Sequence, residues 1–131
     1  MKKLLLVAFV LAISGLAQAV PPQDRAQIDK MVSQLQHFHD AGLALHKKYD
    51  YAKKGQVKQC QAAQGDLVQQ AKDLREQAAK LPVLAYRVNL TLAASSAVAC
   101  VSCDLDGGSC DSIPPALGRV HHQLTTPVKA K

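Results

Sequence analysis

The sequence predicts an all-α protein, an antiparallel bundle of three long helices and a short C-terminal helix held by disulfide bonds. Apolar residues recur every three or four positions through most of the chain, as in amphipathic helices. No segment shows the period-two alternation of apolar and polar residues that indicates a strand. Four cysteines in a short chain that begins like an exported protein favour disulfides.

Residues 1–19 have the order of a secretory signal peptide. Lys2 and Lys3 give a positive start, an apolar run follows, and Ala-Gln-Ala at 17–19 is a small-x-small cleavage site. We therefore expect cleavage after Ala19 and a periplasmic or secreted protein. The short positive start is typical of bacterial signal peptides. The mature chain, 20–131, has the length of one domain, and we expect no transmembrane segment in it.

The formal charge of the mature chain is small. Loss of Lys2 and Lys3 lowers the net charge from +6 to +4. An excess of this size, with few aromatic residues for base stacking, does not indicate nucleic-acid binding.

The first predicted helix covers residues 22–54. Pro21 and Pro22 suit a helix start, and Gly55 suits a helix end. The apolar positions share one face of this helix: Ile28, Met31, Leu35, Phe38, Gly42, Leu45, Tyr49 and Ala52.

The second and third predicted helices, 57–81 and 82–103, meet at Pro82, which lacks a backbone donor and breaks a helix. Each has an apolar stripe that includes a cysteine. The second stripe is Val57, Cys60, Gln64, Leu67, Ala71, Leu74, Ala78 and Leu81. The third stripe is Val83, Tyr86, Leu90, Ala93, Ala97 and Cys100.

The C-terminal part of the chain predicts a turn and a short helix. Residues 104–111 are rich in Asp and Gly, which favours a turn. A fourth helix over 114–124 begins at Pro114 and Pro115, and we expect a frayed tail over 125–131.

The helix pattern favours one pairing of the four cysteines. Cys60 and Cys100 lie at similar distances from Pro82, so a hairpin that reverses there would bring them together. The preferred pairs are therefore Cys60–Cys100 and Cys103–Cys110. Cys60–Cys103 with Cys100–Cys110 is the alternative, because Cys100 and Cys103 are separated by one helical turn.

The Cys-Val-Ser-Cys segment at 100–103 has the spacing of a redox dithiol. Such motifs usually open a helix, where the helix dipole lowers the thiol pKa, whereas this one lies at a predicted helix end. A zinc site would need a second ligand pair at matching spacing, which the sequence lacks. A structural role for the cysteines is preferred to both.

Five histidines are the candidate ligands of a transition metal. His37, His39 and His46 lie on the first predicted helix, and His121 and His122 lie near the chain end. His39 and His46 share a face but are two turns, about 10 Å, apart, which is too far for one ion without a further ligand. We expect these histidines to be solvated surface residues.

Lysines are concentrated around the first helix–helix connection. Cations stabilise a helix C-terminus by about 0.3–1 kcal/mol each, which is a sufficient structural explanation; an anionic partner is the functional one. The residues of this patch are Lys47, Lys48, Lys53, Lys54 and Lys58.

The sequence contains no catalytic motif and no motif for a cofactor. We therefore expect a small exported helical protein that binds another envelope or secreted protein without catalysing a reaction. Metal binding through the histidines and thiol–disulfide chemistry at 100–103 are the alternative functions.

Overall fold

A computed structural model describes residues 20–104 and 107–126 of the chain. The predicted signal peptide lies outside them, as does the predicted tail except for residues 125 and 126, of which Thr125 belongs to a helix. The all-α prediction is confirmed, because every regular element of the described residues is helical. The α-helices are α1 (Pro22–Lys48), α2 (Lys54–Gln64), α3 (Leu67–Ala79), α4 (Leu84–Val101) and α5 (Ile113–Thr125), and a 3₁₀ helix, Gly107–Ser112, precedes α5.

Helix α1 buries most of the predicted stripe but ends earlier than predicted. Tyr49 is extended, with φ −119° and ψ 136°, so the helix stops at Lys48. Asp50 then organises a turn: its side chain accepts the Ala52 N–H at 3.0 Å, and its carbonyl accepts the Lys53 N–H at 3.1 Å. Such Asx turns compete well with helix continuation. Gly55 lies in the first turn of α2 instead of ending α1.

The second predicted helix is two helices. Gly65 has φ +53°, a left-handed conformation that glycine adopts without steric cost, and it ends α2. Helix α3 then begins at Leu67 and buries Ala71, Leu74 and Ala78. Sequence periodicity did not reveal this break, because the apolar spacing continues across it.

Helix α4 is the central element and packs against α1, α3 and α5. It begins at Leu84 and ends at Val101, two residues inside each predicted bound. The Arg119–Asn89 hydrogen bond and the Cys100–Cys110 disulfide place α5 antiparallel to α4. The predicted fourth helix is confirmed as α5 and is one residue longer at each end.

The described residues bury two apolar clusters. The larger cluster joins α1, α3, α4 and α5. The smaller one contains Leu45, Cys60 and Cys103, with Tyr49 and Tyr51 against it. The two clusters divide the bundle into a main core and a separate packed region around one disulfide.

The two disulfides correct the preferred cysteine pairing. Cys60 is bonded to Cys103, and Cys100 to Cys110, which is the alternative pairing. The Cys100 side chain faces α1, with Sγ 3.8 Å from the Phe38 carbonyl oxygen. Cys103 lies beyond the end of α4, where the extended Ser102 (ψ 142°) redirects the chain toward α2. The prediction placed Cys103 within a continuous helix, and so assigned Cys60 the wrong partner.

Among the described residues, α4 is the helix that is long and apolar enough to cross a membrane; this does not test the expectation of no transmembrane segment in the mature chain, which stays a prediction. Helix α4 qualifies by length and composition alone, with a mean hydropathy of 1.3 over Leu84–Val101. A share of 39% of its residues is buried inside the protein. The high hydropathy therefore partly reflects its position at the centre of the bundle.

Candidate functional site

The outward face of α4 is mostly apolar and carries no charge. Leu84, Val88 and Leu92 are spaced four residues apart, so they form one row along the helix. Their exposed fractions are 61%, 47% and 54%. Ser95 and the half-buried Ala99 continue the row toward the C-terminal end of the helix. We call the row Leu84, Val88, Leu92, Ser95 and Ala99 the α4 face.

Polar groups border the α4 face. Arg87 is the one charged residue of α4 and lies 3.4 Å from the Leu81 carbonyl oxygen, to which it donates. Arg119 of α5 donates to Asn89 Oδ1 at 3.0 Å. An apolar centre with an arginine-containing border is the usual composition of a protein–protein interface.

A second candidate site is an open cleft between the end of α1 and the start of α2. Its volume is about 520 Å³, within the range of about 300–1,000 Å³ that is typical of ligand sites. The chain forms it by leaving α1 at Lys48, turning at Asp50 and entering α2 at Lys54. The lining residues are His46, Lys47, Lys48, Tyr49, Asp50, Tyr51, Ala52 and Gln56.

Hydrogen bonds connect one wall of this cleft to both disulfides. His46 Nε2 donates to the Cys100 carbonyl oxygen at 3.2 Å, and the His46 ring lies 4.6 Å from the Tyr51 ring. The Tyr51 hydroxyl donates to Cys60 Sγ at 3.4 Å. Burial, and then the negative charge of Asp104, raise the pKa of Tyr51 above its ordinary value. The phenol is therefore a neutral donor at physiological pH.

The structure divides the lysine patch between two helix ends. Lys47 and Lys48 lie in the last turn of α1, where the helix dipole favours cations. Lys53 precedes α2, and Lys54 and Lys58 lie in its first turns, where the dipole disfavours cations. The helix-C-terminus explanation therefore holds for two of the five lysines and is wrong for the other three.

The predicted metal candidates are dispersed. His39 Nδ1 bonds to Asp40 Oδ1 at 3.0 Å, and this bond with that from Gln36 lowers the pKa of Asp40. His37, His121 and His122 are exposed. Across 20–104 and 107–126, no three His, Cys, Asp or Glu side chains form a group suited to a metal ion.

The thiol–disulfide alternative requires Cys100 and Cys103 to react as a pair. Each is instead bonded to a different cysteine, and both are buried, with exposed fractions of 0% and 4%. This arrangement is typical of structural disulfides, whereas reactive thiols are partly exposed.

Sequence reasoning missed the α4 face and the Tyr51–His46 pair. The i, i+4, i+8 spacing of Leu84, Val88 and Leu92 was present in the sequence. It was missed because the predicted buried stripe already explained why this helix is apolar. Tyr51 had no such signal, because its position depends on the turn after α1.

Comparison of this chain with protein-family models, curated proteins and solved structures finds no match.

Proposed function

We propose that this chain is an exported, non-catalytic binding protein that uses the α4 face to engage another envelope or secreted protein. The exposed apolar row along α4 is the observation that carries the proposal. The partner would present an apolar patch bordered by carboxylates, which complement Arg87 and Arg119. The signal-peptide pattern at 1–19 supports the location.

The area available on this face is sufficient for a specific but moderate contribution to binding. Leu84, Val88 and Leu92 each leave about half of their surface in water. Complete burial of one such side chain contributes about 1.5–3 kcal/mol, so covering the three would contribute about 2–5 kcal/mol. Contiguous exposed apolar side chains of this kind commonly mark interaction sites.

Two other occupants fit the border of the face less well. A second copy packed on this face would add its own arginines to the border where Arg87 and Arg119 already lie, and like charges disfavour that contact. A bilayer would have to accommodate both arginines beside the apolar row. A protein with an acidic border satisfies both features.

Site-specific photo-crosslinking tests the proposal. A photoreactive residue replaces Ser95 on the face, and a second protein carries it at Lys72 on the exposed side of α3. We expect one protein of the envelope or the culture medium to crosslink through position 95 and not through position 72. The double variant L84N/L92N should remove that adduct. The control Leu43→Asn changes an exposed leucine (42% exposed) of α1 and should retain it.

The proposal also requires direct binding. The identified partner is purified and titrated with wild-type protein and both variants, with helicity measured by circular dichroism. Equal affinity for wild type and L84N/L92N would refute the role of the α4 face. An adduct of twice the mass of this chain, or flotation with neutral vesicles through the same residues, would replace the proposed partner by a second copy or a membrane.

A further inference from the structure

We propose that the cleft at the α1–α2 connection binds a phosphate-bearing anion. The cleft lies beside the Cys100 carbonyl and the Cys60–Cys103 disulfide, at the C-terminal end of α4. Leu84, Val88 and Leu92, the exposed apolar residues that carry the proposed function, lie two or more helical turns before Cys100, although Ala99 of the α4 face is next to it. The site is therefore separate from the surface that carries the proposed function and does not depend on it.

The fold uses only part of the positive charge around the cleft: the dipole of α1 favours Lys47 and Lys48, and Lys48 Nζ lies 5.4 Å from the Tyr49 ring centroid. Lys47 and Lys48 line the cleft and are exposed. Lys53, at its edge, forms an ion pair with Asp50, with Nζ 3.6 Å from Oδ2. Lys54 lies in the first turn of α2, which contains no acidic residue. The positively charged lysines around the cleft repel one another. A bound anion would offset that repulsion, so the charge of the cleft favours anion binding.

The kind of cation indicates phosphate in preference to carboxylate. Arginine binds carboxylates in a bidentate fork, whereas lysine acts as a point charge that suits the several oxygens of a phosphate. The described residues that line the cleft include lysines and no arginine. The cleft volume of about 520 Å³ accommodates a phosphate ester of small-molecule size.

Neutral donors in the cleft complete the site. The Gln56 side-chain oxygen accepts the Asp50 N–H at 2.7 Å, which orients the Gln56 amide and leaves its NH₂ group to donate to a ligand. Tyr49, whose side chain has a hydroxyl that can donate, is also among the lining residues. Asp50, the acidic residue among those that line the cleft, is paired with Lys53, and the charge of Asp104 acts on Tyr51.

Titration calorimetry with the disulfide-intact protein at low salt tests the site. The soluble probes are inorganic phosphate and pyrophosphate, and the membrane probe is phosphatidylcholine vesicles with or without phosphatidic acid. We expect binding that the double variant K47Q/K48Q weakens by about fivefold per lysine, or roughly twenty-five-fold in all. The matched control K72Q/K80Q has the same net charge, changes exposed lysines of α3 and its C-cap, and should bind as wild type.

The outcomes of this titration distinguish a free phosphate compound, a lipid headgroup and the absence of a site. Binding of the soluble probes without vesicle binding supports a free phosphate compound, and vesicle binding that requires phosphatidic acid supports a lipid headgroup. Equal weakening in both double variants would show attraction to net charge alone and would overturn the site. Failure of every probe to bind at millimolar concentration would overturn it too. The α4-face variant L84N/L92N should bind phosphate normally, so this test is independent of the proposed function.

Discussion

Replacement of Gly42 by alanine tests how closely α1 and α4 approach each other. A Cβ atom at this position would overlap Cys100 Sγ and lie 2.7 Å from the Cys100 carbonyl oxygen. One of these atoms belongs to a disulfide and the other to a helix backbone. Neither can rotate away as the end of a flexible side chain can, so the helices would have to separate.

The expected loss of stability is the balance of two opposing terms. Overpacking a buried site costs about 1–3 kcal/mol, and the fixed neighbours of Gly42 favour the upper end of that range. Alanine has a higher helix propensity than glycine by about 1 kcal/mol, which offsets part of the cost. We therefore expect Gly42→Ala to lower the free energy of unfolding by about 2 kcal/mol and the Tm by about 8 °C.

Gly118→Ala is the matched control for this measurement. Gly118 lies in α5 and is exposed, and a Cβ atom added there would have open space around it to 4 Å. The same substitution there should stabilise the protein by about 1 kcal/mol, because only the propensity term applies. Thermal and urea unfolding followed by circular dichroism measure both effects. If Gly42→Ala is as stable as Gly118→Ala, the close approach of the helices is refuted.

Three further predictions concern single groups. Thr91→Val should stabilise the protein by about 1 kcal/mol in urea unfolding, because Thr91 Oγ1 is buried without a hydrogen-bond partner among the described residues. A loss of stability would show that this hydroxyl has a partner. Replacing Cys60 and Cys103 together by alanine should lower the free energy of unfolding by about 4 kcal/mol, since their bond closes a loop with a sequence separation of 43. Peptide mapping without reduction should first find this pair linked, and any other linkage contradicts the fold. The pKa of Tyr51 is raised above its ordinary value of 10.0, so Tyr51 contributes fully to stability below pH 10.0, and this contribution is lost as the pH rises through the pKa of the folded state. Tyr51→Phe should remove this loss of stability at alkaline pH. Phenolate absorbance that reports three equivalent tyrosines would contradict the raised pKa.

The helical fold could be predicted from sequence because burial imposes a simple period. Every third or fourth residue of α1 from Ile28 to Leu45 is buried, as the apolar spacing indicated. Such a pattern needs no knowledge of distant contacts, because the periodicity of a helix places these positions on one side.

The helix ends and the cysteine pairing depended on local backbone features that the period does not record. Gly65 interrupts the second predicted helix by adopting a positive φ, and Asp50 ends α1 early through its side-chain turn. The extended Ser102 ends α4 before Cys103, and this places Cys103 instead of Cys100 beside Cys60.

The candidate sites were less predictable than the fold. The lysine patch was recognised from its composition, but the division of its charge between two helix ends results from the termination of α1 at Lys48. The α4 face was hidden because apolar residues occur on every side of α4, so periodicity could not separate its buried residues from its exposed ones. Only the packing of α1, α3 and α5 distinguishes them.

The weak attachment of α2 sets the order in which parts of this molecule open. Cys60 is the single buried residue within Lys54–Gln64, and Gln64 adds one hydrogen bond to the Val101 carbonyl oxygen at 2.8 Å. Apart from the disulfide, little holds this segment against local unfolding. Its amide protons should therefore exchange with solvent faster than those of α4, and a reductant should accelerate that exchange while the rest of the bundle stays protected. The molecule thus contains a detachable segment whose retention depends on the oxidising character of its surroundings.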